Sequence, residues 1–256
     1  KKFFLLLQVE LKIEALKALK FLKALKFLKA LKLLKALKLL KALKALKAGM
    51  GTDENGSVIE VDFSNSQATD DDLVHLKGLP KLSTLFIGSR ISDTGMAHVE
   101  GLTTLTFVDC TFNTKITDKG VAYLASLTNL EGVSLADTKV TDDGLKHLRN
   151  LKSLKGISLP DTRITNAGLA HIKHLANLES LGLSSTKVTD DGLVYVGMLT
   201  KLTGLTLAMT DITDEGLEHL TTLKKLEGLS LAKTGVTSEG VVKLNKAIPR
   251  CRIFFR

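Results

Sequence analysis

The chain contains no tryptophan and only two tyrosines in 256 residues. That balance does not suit a globule locked by large aromatics and suits a core built from aliphatic layers. No stretch of about 18 nearly uncharged residues occurs, so no membrane-spanning helix is expected. Catalytic and nucleotide signatures are missing as well. There is no Gly-x-Ser-x-Gly, His-Glu-x-x-His, phosphate-binding loop or dinucleotide fingerprint. Gly49-Met50-Gly51 is no phosphate cradle, because no strand precedes it. No catalytic residue, metal, cofactor or small-molecule substrate is therefore expected.

The net charge of +9 conceals two unlike parts. Residues 1–48 hold fourteen lysines against Glu10 and Glu14, and the remainder is mildly acidic. Any attraction to a polyanion is thus confined to the first 48 residues. From Lys17 to Lys47 a lysine stands at every third position, with Leu, Ala and Phe between. These residues favour a helix, and Gly49 is placed to stop it. The period, however, turns each lysine about 60° behind the last, so the charges circle the helix and no face stays apolar. Lys1, Lys2 and the run Phe3–Leu7 hint at a signal peptide, but the run is shorter than the ~7–15 residues needed. Contact with a membrane surface or polyanion through this helix is the alternative functional reading. A low-complexity extension without a specific partner is the plainer one.

Beyond residue 55 one period governs the chain. A clear copy runs Leu130, Val133, Leu135, Thr138, Val140, Thr141, Gly144, Leu145, Leu148, Leu151. It returns every 24 residues from Leu154, Leu178, Leu202 and Leu226, and earlier copies begin at Val58, Leu82 and Leu105 with spacings of 24, 23 and 25. Such self-similarity predicts a solenoid. Leu-x-x-Leu-x-Leu places alternate side chains inward, as a short parallel strand requires. Thr138 and its equivalents Thr162, Thr186, Thr210 and Thr234 are expected to satisfy backbone groups between adjacent turns. Thr141 reads as a helix N-cap, Asp142 and Asp143 suit the positive end of the helix dipole, and Val140 with Leu145 forms a hydrophobic staple.

These copies resemble leucine-rich repeats, and the Ile/Val-Thr-Asp-x-Gly-Leu piece is similar to the cysteine-containing subclass of F-box proteins. Thr in place of the Cys after the strand, and the shorter copy, make it similar to bacterial forms such as those of planctomycetes. The resemblance implies an α/β fold. It would be a right-handed leucine-rich-repeat solenoid, with parallel strands on its concave face and short helices on its convex face, preceded by the long Lys/Leu/Ala helix. The expected layout is a cationic helix over 1–48, a linker or cap over 49–57, and about eight repeats with a closing strand over 58–256. The resemblance also implies a non-catalytic module that binds a protein or peptide. Nothing in residues 1–54 resembles an F-box, and nucleic acid is not expected as a partner of the solenoid.

On the concave face the outward strand positions form a small, uncharged floor that includes Ser134, Ser158, Thr206 and Ser230. Such residues allow close approach but make poor anchors. The N-terminal end differs. Thr84, Phe86, Phe107, Asp109 and Phe112 read as an aromatic cluster on adjacent strands, with Arg90 at a position otherwise held by Thr. Exposed clustered aromatics mark interaction sites, although a cap over the first repeat would use them equally well.

Other columns look chemical and have plainer explanations. His75, His98, His147, His171 and His219 share one repeat position, but neighbouring helices lie about 8–10 Å apart, too far for ~2 Å metal bonds. The acidic column Asp70, Asp93, Asp118, Asp142, Asp190 and Asp214 reads as helix capping rather than a Ca2+ site. Cys110 and Cys251 fall at inward strand positions six strands apart, about 29 Å at ~4.8 Å per strand, beyond disulfide reach. Two free thiols favour a reducing compartment.

Overall fold

A computed structural model describes the backbone of residues 2–256, and the side chains of Glu14 and residues 16–256. The run Phe3–Leu7 lies outside the described side chains. The chain divides into two units, residues 1–45 and 46–256. The first is one helix, α1 (Lys2–Ala45). Every side chain from Leu16 to Lys38 is exposed, as a three-residue charge period dictates on a 3.6-residue helix. The helix ends at Ala45 rather than at residue 48, and Gly49 opens a strand instead of stopping the helix. The left-handed residue in between is Lys47, at φ 57°.

The second unit holds one ten-stranded sheet with its strands in chain order. They are β1 (Gly49–Thr52), β2 (Val58–Asp62), β3 (Thr84–Phe86), β4 (Phe107–Asp109), β5 (Gly132–Ser134), β6 (Gly156–Ser158), β7 (Ser180–Gly182), β8 (Gly204–Thr206), β9 (Gly228–Ser230) and β10 (Arg252–Phe254). From β2 to β10 every pairing is parallel, whereas β1 runs antiparallel to β2. The segment read as a linker or cap thus supplies a strand to the N-terminal edge. A short helix follows each strand from β2 to β9. Three of these connections contain 3-10 geometry, at Asp70–Gly78, Tyr123–Ser126 and Gly216–Thr222. Strands stack ~4.8 Å apart and packed helices ~8–10 Å apart, so a stack with strands on one side and helices on the other bends toward the strands.

Each coil contributes a layer of aliphatic side chains to one continuous core. In the copy from residue 130, Leu130, Val133, Leu135, Val140, Leu145, Leu148 and Leu151 are all buried. Their equivalents Leu154, Ile157, Leu159, Ile164, Leu169, Ile172 and Leu175 are buried too. At roughly 1.5–3 kcal/mol per buried aliphatic side chain, this layer is the main stabilising term of each coil.

Register between coils is set by a polar link. Both oxygens of the Asp118 carboxylate accept from Thr141 of the next coil, Oδ1 from its backbone N–H at 2.8 Å and Oδ2 from its hydroxyl at 2.7 Å. The same double contact joins Asp70 to Ser92, Asp93 to Thr117, Asp142 to Thr165, Asp190 to Thr213 and Asp214 to Thr237. Asn166 substitutes once. Its Oδ1 accepts from the N–H of Thr189 and its Nδ2 donates to the Thr189 hydroxyl. The acidic column therefore serves the cap of the following helix, not only the dipole of its own. Thr141 completes the device by accepting from the Asp143 N–H.

Glycine at the third helical position follows from this link. A Cβ on Gly144 would stand 2.6 Å from Asp118 Oδ1 and 2.6 Å from Val140 Cγ1. Asp214 shows the electrostatic side. The Thr237 hydroxyl first, then its backbone N–H, hold the Asp214 carboxyl below its ordinary value of 3.8. A carboxyl lowered on folding contributes stability above its unfolded pKa and loses it as pH falls through the folded value.

The threonines after the strands do not bridge coils as expected. Thr138, Thr162, Thr186 and Thr210 are buried, and each hydroxyl donates to the carbonyl three residues earlier in its own turn. Bridging falls to Asn113, whose Nδ2 donates to the Gly88 and Ile91 carbonyls of the preceding coil at 2.9 and 2.8 Å.

Two outcomes test the link. Gly144→Ala is expected to lower stability by about 1–3 kcal/mol through overpacking, whereas Gly156→Ala, whose Cβ meets nothing within 4 Å, is expected to leave it unchanged or slightly raised; equilibrium urea unfolding measures both. Asp118→Ala is expected to cost about 1–3 kcal/mol by orphaning the Thr141 N–H, and Asp118→Asn clearly less, because Asn166 already makes this contact. Equal losses for Asn and Ala would refute the pairing as drawn.

Candidate functional site

The in-register strands lay two rows along the sheet face. One passes from Glu60 through Thr84, Phe107, Gly132 and Gly156 to Gly228 and Arg252. The other passes from Asp62 through Phe86, Asp109, Ser134 and Ser158, then Thr206 and Ser230, to Phe254. Acidic and aromatic groups therefore gather at the N-terminal end, small residues occupy the middle, and Arg252 with Phe254 closes the far end. The middle is open, since a Cβ on Gly156 or Gly228 would meet nothing within 4 Å. Ala136, two residues beyond Ser134, is buried.

Phe86 and Phe107 form a tilted pair, with ring centroids 5.9 Å apart and planes at 59°. The Phe107 ring also lies over β5, where a Cβ on Gly132 would stand 2.7 Å from it. Both rings are half-buried, held on one side and open on the other. Beside them is a hollow of about 430 Å3 lined by Phe107, Asp109, Ser134, Ser158 and Thr206 among others. A second, of about 470 Å3, is lined by Ser64, Asn65, Ile87, Ser89, Asp109, Thr111 and Phe112. Asp109 borders both.

The structure thus places five of the expected site residues around one hollow, and Asp109 with Phe112 around its neighbour. Thr84 and Phe86 flank them in the two rows, while Ser230 lies farther along, outside both hollows. Two placements differ from expectation. Phe112 is not on a strand. It occupies the turn after β4 at φ 61° and is 72% exposed. Asp137, Asp161, Ser185, Met209 and Lys233 take the same left-handed conformation in later coils, so the turn imposes it. Arg90 does not stand where Thr is otherwise used. It lies two residues before the capping Ser92, as Lys139 lies before Thr141, and it is exposed where Thr138 is buried. The 23- and 25-residue spacings of the first copies concealed this shift. The same irregularity concealed Ser64, Asn65 and Ser89 as lining residues, all of them in turns.

Neither thiol is poised for chemistry. Cys110 and Cys251 are free and buried, and burial pushes the Cys251 thiol up to about 11 and Cys110 higher still. On α1 the exposed side chains of residues 16–38 mix lysines with Leu and Phe on every side, and among the described residues no helix is long and apolar enough to cross a membrane.

A bulky residue in the left-handed region costs of order 1–2 kcal/mol. Phe112→Asn is therefore expected to raise stability by up to about 1 kcal/mol, as Asn tolerates that conformation; a thermal melt with an unchanged or lower midpoint would contradict the strain.

A family model for the leucine-rich repeat matches residues 101–125, 174–197 and 199–221. Among solved structures, internalin C2 of Listeria monocytogenes superposes with a TM-score of 0.63 at 21% identity, over 78% of this chain and 81% of that one. A second internalin of that organism gives 0.50 at 20% identity, over 72% of this chain and 66% of its own. No curated protein matches the chain. At these identities the likeness is one of fold. Together with the matched repeats and the stacked parallel strands, it gives this chain a leucine-rich-repeat fold.

Proposed function

We propose that the solenoid is a non-catalytic module that binds a protein or peptide on its sheet face, anchored at the N-terminal aromatic end. Solenoids of this kind typically serve protein–protein interaction, which gives the class. The observation that carries the choice of face is the Phe86–Phe107 pair, with Phe107 lining one hollow and Phe112 lining a second that shares Asp109 with it. Aromatic rings fixed on one side and open on the other lose little entropy on contact, the character of binding hot spots. Asp109, at the border of both hollows, supplies a hydrogen-bond acceptor beside the rings. Beyond them Ser134, Ser158, Thr206 and Ser230 let a partner's backbone approach closely without charge repulsion.

The test is a crosslinking screen for partners of the full chain, repeated with Phe86→Ala plus Phe107→Ala. Partners captured by the native chain are expected to bind the double variant at least thirtyfold more weakly, the equivalent of about 2 kcal/mol or more for hot-spot aromatics. Partners that bind the variant with native affinity would place the contact elsewhere and overturn the assignment.

A further inference from the structure

One flank of the solenoid carries a single file of five cations from five consecutive coils: Arg90, Lys115, Lys139, Arg163 and Lys187. Each stands two residues before the N-capping Ser or Thr of its coil. All five are exposed, and none takes part in the salt bridges found among the described residues. The backbone beneath them is fixed. The N–H groups of Lys139, Arg163 and Lys187 donate to the carbonyls of Ile116, Val140 and Ile164 in the preceding coils, at 3.0, 3.3 and 2.9 Å. Lys115 is tied by its N–H to Asn113 Oδ1 at 3.0 Å. At ~4.8 Å per coil the file is about 19 Å long. It ends where Asp211 and then Gly235 take the position.

Carboxylates do lie near this file, and those at the helix starts are already engaged. Asp93, Asp118 and Asp142 have both oxygens committed to the caps of the next coil. Asp137 and Asp161, in the adjoining turns, make no ion pair with it. Lys115 Nζ makes one long contact, to the Arg90 carbonyl at 3.4 Å, and the cationic heads are the groups left to take new partners.

We infer that this file is a docking strip for an extended acidic segment of the protein partner, an assignment that rests on the protein-binding reading above and adds the chemistry of one part of that partner. An extended strand presents same-face side chains every ~6.6–6.8 Å, so about three carboxylates fit within the ~19 Å file. The flexible lysine and arginine stems take up the mismatch in spacing. A single line of charge suits a thin extended chain, whereas a bilayer or a duplex spreads its anions over two dimensions.

The experiment uses the full chain and a fluorescein-labelled ten-residue peptide of alternating Asp and Thr, with an Asn-for-Asp peptide as control. Because lysines in residues 1–48 also attract acids, anisotropy titration is joined to zero-length carbodiimide crosslinking read by mass spectrometry. Crosslinks are expected at Lys115, Lys139 and Lys187. The triple variant Lys115→Glu, Lys139→Glu, Arg163→Glu is expected to weaken binding at least tenfold at low salt. Lys152→Glu, Lys201→Glu, Lys225→Glu, remote from the file, should change it less than twofold. If the Glu variant unfolds, the same three positions are changed to Gln, with a loss of at least threefold expected. Crosslinks confined to residues 1–48, or binding insensitive to the file, would overturn the inference. So would tighter binding of a heparin oligosaccharide or a single-stranded oligonucleotide at these residues. Phe86→Ala plus Phe107→Ala should leave the peptide's affinity unchanged, so failure on the aromatic face and failure on the file are read separately.

Discussion

Six coils of this solenoid reach the next through a carboxylate that accepts two hydrogen bonds from the capping residue of the following helix, a seventh does so through the Asn166 amide, and the local sequence is arranged around that contact. The aspartate must follow the capping threonine so that it projects from the first helical turn. The third helical residue must be glycine, because the preceding coil's carboxylate occupies the volume a side chain would need. The threonine must be hydroxylated, since it is donor to one coil and acceptor within its own. Aliphatic burial supplies most of the energy, but burial is non-directional. The charge-assisted contact, short and oriented, fixes how far one coil is rotated and shifted against the next.

The period and its alternating leucines fixed the strands, the order of the sheet and the inward rows before any coordinates, because a buried aliphatic side chain in a repeat has one place to go. What the sequence concealed was pairing across the period. Asp118 and Thr141 are 23 residues apart, and a helix-dipole explanation for the acid was sufficient on its own, so nothing forced a search one coil onward. Thr138 was misread for a related reason. Its short side chain reaches the Leu135 carbonyl in its own turn. Asn113, by contrast, has a longer amide with two donor hydrogens, and it spans the gap that threonine leaves open.

The candidate site was legible in composition and less so in geometry. Three phenylalanines near the N-terminal end stood out against a chain poor in aromatics, and Phe86 and Phe107 do meet on adjoining strands. Phe112 does not stand on a strand beside them, because it occupies the left-handed turn after β4, where it lines the adjoining hollow. The irregular early spacings also moved Arg90 by one position in the alignment of coils. Restoring it shows a file of like charges that each copy, read alone, reduces to an ordinary solvated lysine. The sheet face and this flank are distinct surfaces, one apolar and shaped, the other linear and charged. A partner touching both would gain orientation from the second and residence time from the first.

All coils but the last carry an acid, or once an asparagine, for the successor, and each later coil carries a capping hydroxyl for its predecessor. Removing one whole period, or duplicating one, would rejoin an acid to a hydroxyl and leave nothing unmatched. Growth by tandem duplication therefore meets no chemical barrier in this chain, and the reach of its outer surfaces is a quantity that recombination within the gene can lengthen or shorten in steps of one strand spacing.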